Sequence, residues 1–209
     1  MKKIWIKICS VSDSESTNDT YYSNMGSRER LATMRFLRDV FSDYKKIKRG
    51  KAKFQKDYED LLKLLNRHGV KYCIVGAYAL AFYARPRFTK DLDIMVGSDP
   101  VNAAKVVKAL NDFGFSCLKL QARDFMHKGR IVQLGYEPVR VDILTSIDGC
   151  EFNEVWRSKK TGTYGRQRAY FIGLNSLIKN KKASNRLQDK ADLEMLTRIR
   201  ARIKERRRQ

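Results

Sequence analysis

The sequence is short of acid, cysteine, histidine and long apolar runs, and each shortage excludes something. Asp and Glu number 23 against 44 Lys and Arg, which leaves a formal charge of +21 and a pI near 10. That excess goes far beyond what solubility requires and implies a large anionic partner, for which nucleic acid is the first choice. A heavily basic surface with no specific partner is the alternative, because charge alone specifies neither sequence nor shape. Cys9, Cys73, Cys117 and Cys150 are far apart and form no C-x-x-C pair, which argues against a zinc site and against a disulfide framework. His68 and His127 are isolated and read as structural or solvent-facing. No apolar run approaches the roughly 20 residues needed to span a bilayer. The opening MKKIWIKICS is broken by Lys7 and leads into no hydrophobic region. It does not read as a signal peptide, and a cytoplasmic protein without membrane contact is the expectation.

What is present suffices for one domain, or one domain with a small appendage: 209 residues, 43% of them hydrophobic. Ser12 to Ser27 is polar and reads as a loosely attached arm. Apolar residues at helical spacing predict a helix over Arg28 to Tyr44 and another over Phe54 to Asn66, the latter burying Tyr58, Leu61, Leu62 and Leu65 and ending at Gly69. The basic run Lys45 to Lys53 between them reads as a linker. Strands are predicted at Tyr72 to Val75, Phe88 to Val96, Phe115 to Leu120, Ile131 to Leu134, Val139 to Leu144 and Arg168 to Ile172. Helices are predicted from Ala79 to Ala84, stopped by Pro86, and from Val101 to Phe113, with Ser98 or Asp99 as cap. A short helix at Phe152 to Trp156 follows. Two more, Gly173 to Ala183 and Gln188 to Lys204, close the chain before a basic tail. The domain reading is an N-terminal arm and helix over 1–53, a core over 54–150 and a C-terminal helical segment with its tail over 151–209.

Three pieces carry chemistry. The strand ending in DLDIMV holds Asp91 and Asp93. Strand side chains alternate, so these two carboxylates share a face while Leu92 and Ile94 take the other. Like charges side by side need a proton or a cation, and hard divalent cations prefer carboxylate oxygens. Asp142 sits between Val141 and Ile143 in the later strand VRVDIL, where a carboxylate is costly unless paired or metal-bound. If the two strands are neighbours, three carboxylates converge, as is needed to hold one or two Mg2+ ions against a triphosphate. Asp142 could also help to deprotonate an attacking hydroxyl. Gly76 stands where a strand turns into a helix, so the backbone can approach a phosphate and the helix N-terminus favours an anion. Each piece has a bland alternative: a solvent-facing D-x-D, or a glycine kept for packing. Their order and spacing together favour the functional reading.

The stretch IVGAYALAFYARPRFTKDLDIMV resembles the nucleotidyltransferase superfamily of the DNA polymerase β type, in its minimal bacterial branch, with the AbiEii-like toxins the nearest group. That family pattern is an apolar strand, a Gly with a small residue, a short helix, then R-x-T-x-D-x-D. Gly76, Arg87, Thr89, Asp91 and Asp93 match it. Ala77 stands where many relatives carry Gly or Ser, which keeps the backbone amide but removes a hydroxyl. The third family carboxylate falls on Asp142. The ending FIGLNSLIKNKKASNRLQDKADLEML is similar too, placing Lys181, Arg186, Asp189 and Asp192 on family positions.

The resemblance covers about Phe54 to Leu196. It implies an α+β nucleotidyltransferase fold, a mixed sheet flanked by helices with further helices at the C-terminus. It implies Mg2+ at Asp91, Asp93 and Asp142, and an NTP contacted by Gly76, Ala77, Arg87, Thr89 and Lys181. For Lys181 a place on a solvated basic face is the alternative. The implied activity moves a nucleoside monophosphate to an acceptor hydroxyl. The basic charge favours RNA as acceptor, and the toxin relatives suggest an antitoxin protein as partner. A non-catalytic RNA-binding module of the same fold and a protein AMP- or UMP-transferase are the competing readings.

Overall fold

The computed structural model describes residues 6–10, 56–84, 89, 91–136, 139–184 and 186–206. The expected arm at 12–27, the helix at 28–44, the linker at 45–53 and Arg87 lie outside the described residues. Among the described residues seven strands form one sheet: β1 (Ile6–Ser10), β2 (Tyr72–Ile74), β3 (Asp91–Val96), β4 (Arg130–Tyr136), β5 (Val139–Leu144), β6 (Lys160–Tyr164) and β7 (Gln167–Phe171). Their order is β1-β4-β5-β3-β2-β7-β6. β3 runs parallel to β5 and antiparallel to β2, β2 runs parallel to β7, and the other pairs are antiparallel. Helices α1 (Lys56–Arg67), α2 (Gly76–Tyr83), α3 (Pro100–Leu110), α4 (Phe152–Ser158), α5 (Leu174–Ser184) and α6 (Leu187–Arg206) flank it. The fold is α+β with a mixed sheet, as expected.

Strand alternation divides the core in two. Leu92, Ile94, Val96, Val132, Leu134, Val141 and Ile143 pack on one face of the sheet against Tyr58, Leu61, Leu62 and Leu65 of α1 and Ala103, Val106 and Leu110 of α3. The four α1 residues recur at i, i+3, i+4 and i+7 and are completely buried, so that stripe places the helix. Each of those leucines contributes about 1.5–3 kcal/mol by burial. On the opposite face Cys73 and Met95 pack with Ala79 and Leu80 of α2, Val155 of α4, Leu177 and Ile178 of α5 and Leu196 of α6. The row that begins with Met95 on this second face continues to Asp93 and Asp91, so the core ends where the carboxylates begin.

Polar groups fix the ends of the elements. Asp99 caps α3, accepting from the Asn102 amide at 2.9 Å, with Pro100 in the first turn. The buried Asn102 accepts from the Lys71 amide and donates to the carbonyls of Lys71 and Gly97, tying α3 to the ends of β2 and β3. All these bonds are made inside the protein, so its burial carries no unmet polar cost.

One expectation is corrected. Phe115 to Leu120 is not a strand. Gly114, at φ 110, turns the chain out of the irregular last turn of α3, and Ser116–Leu118 form a short 3-10 turn. Phe115 and Leu120 still reach the core, but without pairing to the sheet. Beside the expected strand at Arg168 to Ile172, which is β7, the structure adds β6 at the edge of the same sheet. β6 reads KTGTY, with three of its five residues exposed and a glycine at its centre, so apolar alternation does not mark it. Among the described residues no helix is long and apolar enough to cross a membrane.

Candidate active site

Asp91 and Asp93 lie on the same face of β3, and the parallel register sets Asp93 directly opposite Asp142 and Asp91 opposite Arg140. The two strands are neighbours, which is the condition that convergence of the three carboxylates required. β2 delivers Gly76 to the same place. The Val75 amide donates to the Asp93 carbonyl at 3.0 Å, and the chain then turns into α2 with Gly76 at φ +60. A methyl group at Gly76 would lie 2.0 Å from Asp93 Oδ2. Glycine is required here twice over, for its left-handed backbone and for the room it leaves the carboxylate. Val75, at the N-cap position of α2, makes no side-chain cap hydrogen bond, and the first amides of the helix, those of Gly76 and Ala77, point where a helix N-terminus favours an anion. Thr89 stands at the entry to β3, where its hydroxyl donates to the Asp91 carbonyl at 3.2 Å. The structure therefore brings Gly76, Ala77, Thr89, Asp91, Asp93 and Asp142 together, and Arg87 lies outside the described residues.

Arg140 and Gln133 also belong to the site, although neither was expected there. The Arg140 guanidinium donates to Asp91 and, at 3.2 Å, to Asp142 Oδ2. Its Nε lies 3.0 Å from Asp142 Oδ1, but the angle is too poor for a hydrogen bond, and both atoms are buried without one. Gln133, opposite Asp142 on β4, donates to Asp142 Oδ2 at 3.2 Å. Arg140 had a sequence signal, since it precedes Asp142 by two residues and so shares its strand face. Gln133 had none, because cross-strand register cannot be read from composition. Beneath the site the Tyr58 hydroxyl donates to the Arg140 carbonyl at 3.0 Å, and burial drives that phenol far above its usual range.

The charges are in tension. Burial first, then the neighbouring Asp142 and Asp91, push the Asp93 carboxyl up to about 8, against the pull of Arg140 and Lys181. Burial also raises Asp142 to about 6; Arg140 and Gln133 oppose the rise, and Asp91 adds to it. Carboxylates held above their ordinary range in this way are waiting for a proton or a cation.

The side chains present fit a hard divalent cation by chemistry. They are all-oxygen donors, and Asp142 Oδ1 is a buried acceptor that receives no hydrogen bond. Among the described residues no three acidic, histidine or cysteine side chains form a ready-made metal cluster. Arg140 is bound to Asp91 and Asp142, where such a cluster would be built.

Lys181 sits on α5 and is 6% exposed. It is paired with Asp189 and, at 3.1 Å, with Asp192, both on α6. Ser184 donates to Asp189 as well. Burial acts to raise the Asp189 carboxyl, but the bonds from Lys181 and Ser184 outweigh it and hold the group low. Lys181 is thus not on a solvated basic face. Its charge is near enough to favour ionisation of Asp93, yet a contact from it to a phosphate would have to draw it out of a buried ion-pair triad. The triad joins α5 to α6 at the edge of the site.

No protein-family model matches the sequence, and no curated protein is similar to it at a significant level. Among solved structures the chain is similar to the lincomycin-bound crystal structure of the lincosamide antibiotic adenylyltransferase LnuA, with a TM-score of 0.44 and 17% identity over 69% of this chain and 97% of that one.

Proposed function

We propose that this chain is a nucleotidyltransferase, moving a nucleoside monophosphate from an NTP to an acceptor hydroxyl with release of pyrophosphate. The observation that carries the reading is the register. Asp93 faces Asp142 across parallel strands, with Asp91 two pairs along on the same face and the N-terminus of α2 beside them. Asp91, Asp93 and Asp142 would hold Mg2+, which supplies charge neutralisation for the phosphates when bound. The Gly76 and Ala77 amides would receive a phosphate oxygen, and Asp142 would take part in removing the proton of the acceptor hydroxyl. Thr89 would shape the entry of β3 so that Asp91 and Asp93 face the nucleotide, Arg87 would supply charge toward the phosphates, and Lys181 would reach them only by leaving its ion pairs with Asp189 and Asp192.

RNA is the acceptor this reading favours. A pocket for a polycationic acceptor should be acidic, and the chain carries +21. The far end of α6, 201–206, is exposed on all sides, and Arg198, Arg200, Arg202, Lys204 and Arg206 line its last turns, as a surface that tracks phosphates would. The resemblance to AbiEii-like toxins extends the proposal to a cytoplasmic toxin restrained by a protein partner.

The test is incubation with Mg2+, each α-labelled NTP in turn and total tRNA, beside Asp93→Asn. Label on RNA that the variant does not transfer is the expected result. Label on protein in the same lysate would replace RNA by a protein acceptor. NTP binding without any transfer would favour a non-catalytic RNA-binding module.

A further inference from the structure

Asp91 and Asp142 are already neutralised in part by a cation of the protein's own. Arg140 is 13% exposed at its side chain, and it bridges Asp91, itself 24% exposed, to Asp142. Asp93 receives no hydrogen bond from it. The bridge is lopsided: one guanidinium nitrogen serves both carboxylates, while Nε sits close to Asp142 Oδ1 at an unproductive angle. Most of its contact with Asp142 is therefore weaker than a paired, two-pronged Arg–carboxylate bond. Its backbone is held separately, by the Tyr58 hydroxyl on the Arg140 carbonyl and by strand pairing on both sides of β5. The side chain can leave the carboxylates without disturbing the strand that carries Asp142.

We propose that Arg140 is the resident counter-cation of the site: it holds Asp91 and Asp142 together before metal arrives, gives them up to a divalent cation, and thereby sets how tightly that cation binds. The inference rests on the nucleotidyltransferase reading only in taking Asp91, Asp93 and Asp142 as the metal ligands. It requires the guanidinium and the metal to compete for the same oxygens. When all three carboxylates are ionised, as metal binding requires, the cluster carries a net charge of −2 with Arg140 in place and −3 without it, so removing the arginine strengthens the attraction for a divalent ion. A structural Arg140 would behave in the opposite way, since its loss would loosen Asp91 and Asp142 and weaken metal binding.

The experiment is Mn2+ titration of the whole chain, followed by electron paramagnetic resonance, for the wild type, Arg140→Gln, Arg140→Lys and Asp93→Asn. The expected result is binding tightened roughly tenfold in Arg140→Gln, an intermediate value in Arg140→Lys, which keeps the charge but not the fork, and weakened binding in Asp93→Asn. Equal or weaker Mn2+ binding in Arg140→Gln, with Asp93→Asn still weakened, overturns the role of Arg140 and leaves the metal site standing. Binding that Asp93→Asn does not change overturns the metal site itself, and this inference with it. Should Arg140→Gln fail to fold, the wild type decides the matter. The Arg140 Nε–H resonance, assigned by its absence in Arg140→Lys, must shift when Mg2+ is added, and a resonance that does not respond refutes the exchange.

Discussion

Asp93→Asn isolates the strain in the carboxylate cluster as a dependence on pH. In the folded chain Asp93 ionises near 8, because burial and the charges of Asp142 and Asp91 disfavour its anion. In the unfolded chain it ionises near the ordinary value of about 4. A raised carboxyl means that the folded state binds the proton more tightly. Its contribution to stability is therefore complete below about pH 4 and is lost as pH rises through about 8. Over that window one full proton costs about 1.4 kcal/mol per pH unit. Asparagine has no proton to lose, so the stability of Asp93→Asn relative to wild type should climb by up to about 2.7 kcal/mol between pH 5 and pH 7. Sharing of the proton with Asp142 makes that figure an upper bound. The assay is urea unfolding of both proteins in EDTA at pH 5, 6 and 7. Curves that keep a constant separation across the three pH values would refute the claim that Asp93 is strained by its neighbours.

Three further outcomes follow from the geometry. Gly76→Ala would drive a methyl into Asp93 and force a left-handed alanine; it should cost roughly 2 kcal/mol or more in urea unfolding and abolish nucleotide binding measured by calorimetry. Lys181→Met leaves Asp189 and Asp192 buried without their shared cation, and a loss of about 3–5 kcal/mol is expected; full stability in this variant would show that the triad is not the tie between α5 and α6. Removal of Arg198 to Gln209 should leave the melting temperature nearly unchanged, because 201–206 touch little, while lowering the slope of log K against log salt for RNA by about 0.7 per lost phosphate contact. An unchanged slope would take the end of α6 out of the proposed RNA-binding surface.

Much of this arrangement was legible in the sequence because it rests on short-range rules. The stripe Tyr58, Leu61, Leu62 and Leu65 needed only a helical period, and all four are buried as read. Asp91 and Asp93 needed only strand alternation to be set on one face. Asp99 had a turn before it and a proline after it, and it caps α3. What escaped depends on pairing across the chain or on local turns. Phe115 to Leu120 has strand-like composition, but Gly114 reverses the chain and two buried side chains take the place of a ladder. β6 offers KTGTY, which becomes a strand through its partner β7 and not through any apolar pattern of its own. In the site, Gln133 reaches Asp142 through a register between β4 and β5 that no local signal records. For Lys181 the solvated-face alternative fails because its buried partners Asp189 and Asp192 arrive from the next helix, which no local signal records.

Transfer of the α-phosphate is the most direct test of the proposed site. Purified protein should be given Mg2+, total tRNA and, in parallel, α-labelled and γ-labelled forms of each NTP, with Asp93→Asn and Asp142→Asn beside the wild type. Label from the α position on the acceptor, γ label appearing in pyrophosphate, and loss of both in the two variants is the predicted result. Label from the γ position on the acceptor, or α transfer that survives Asp93→Asn, would contradict the assignment of Asp91, Asp93 and Asp142 as a nucleotidyl-transfer site.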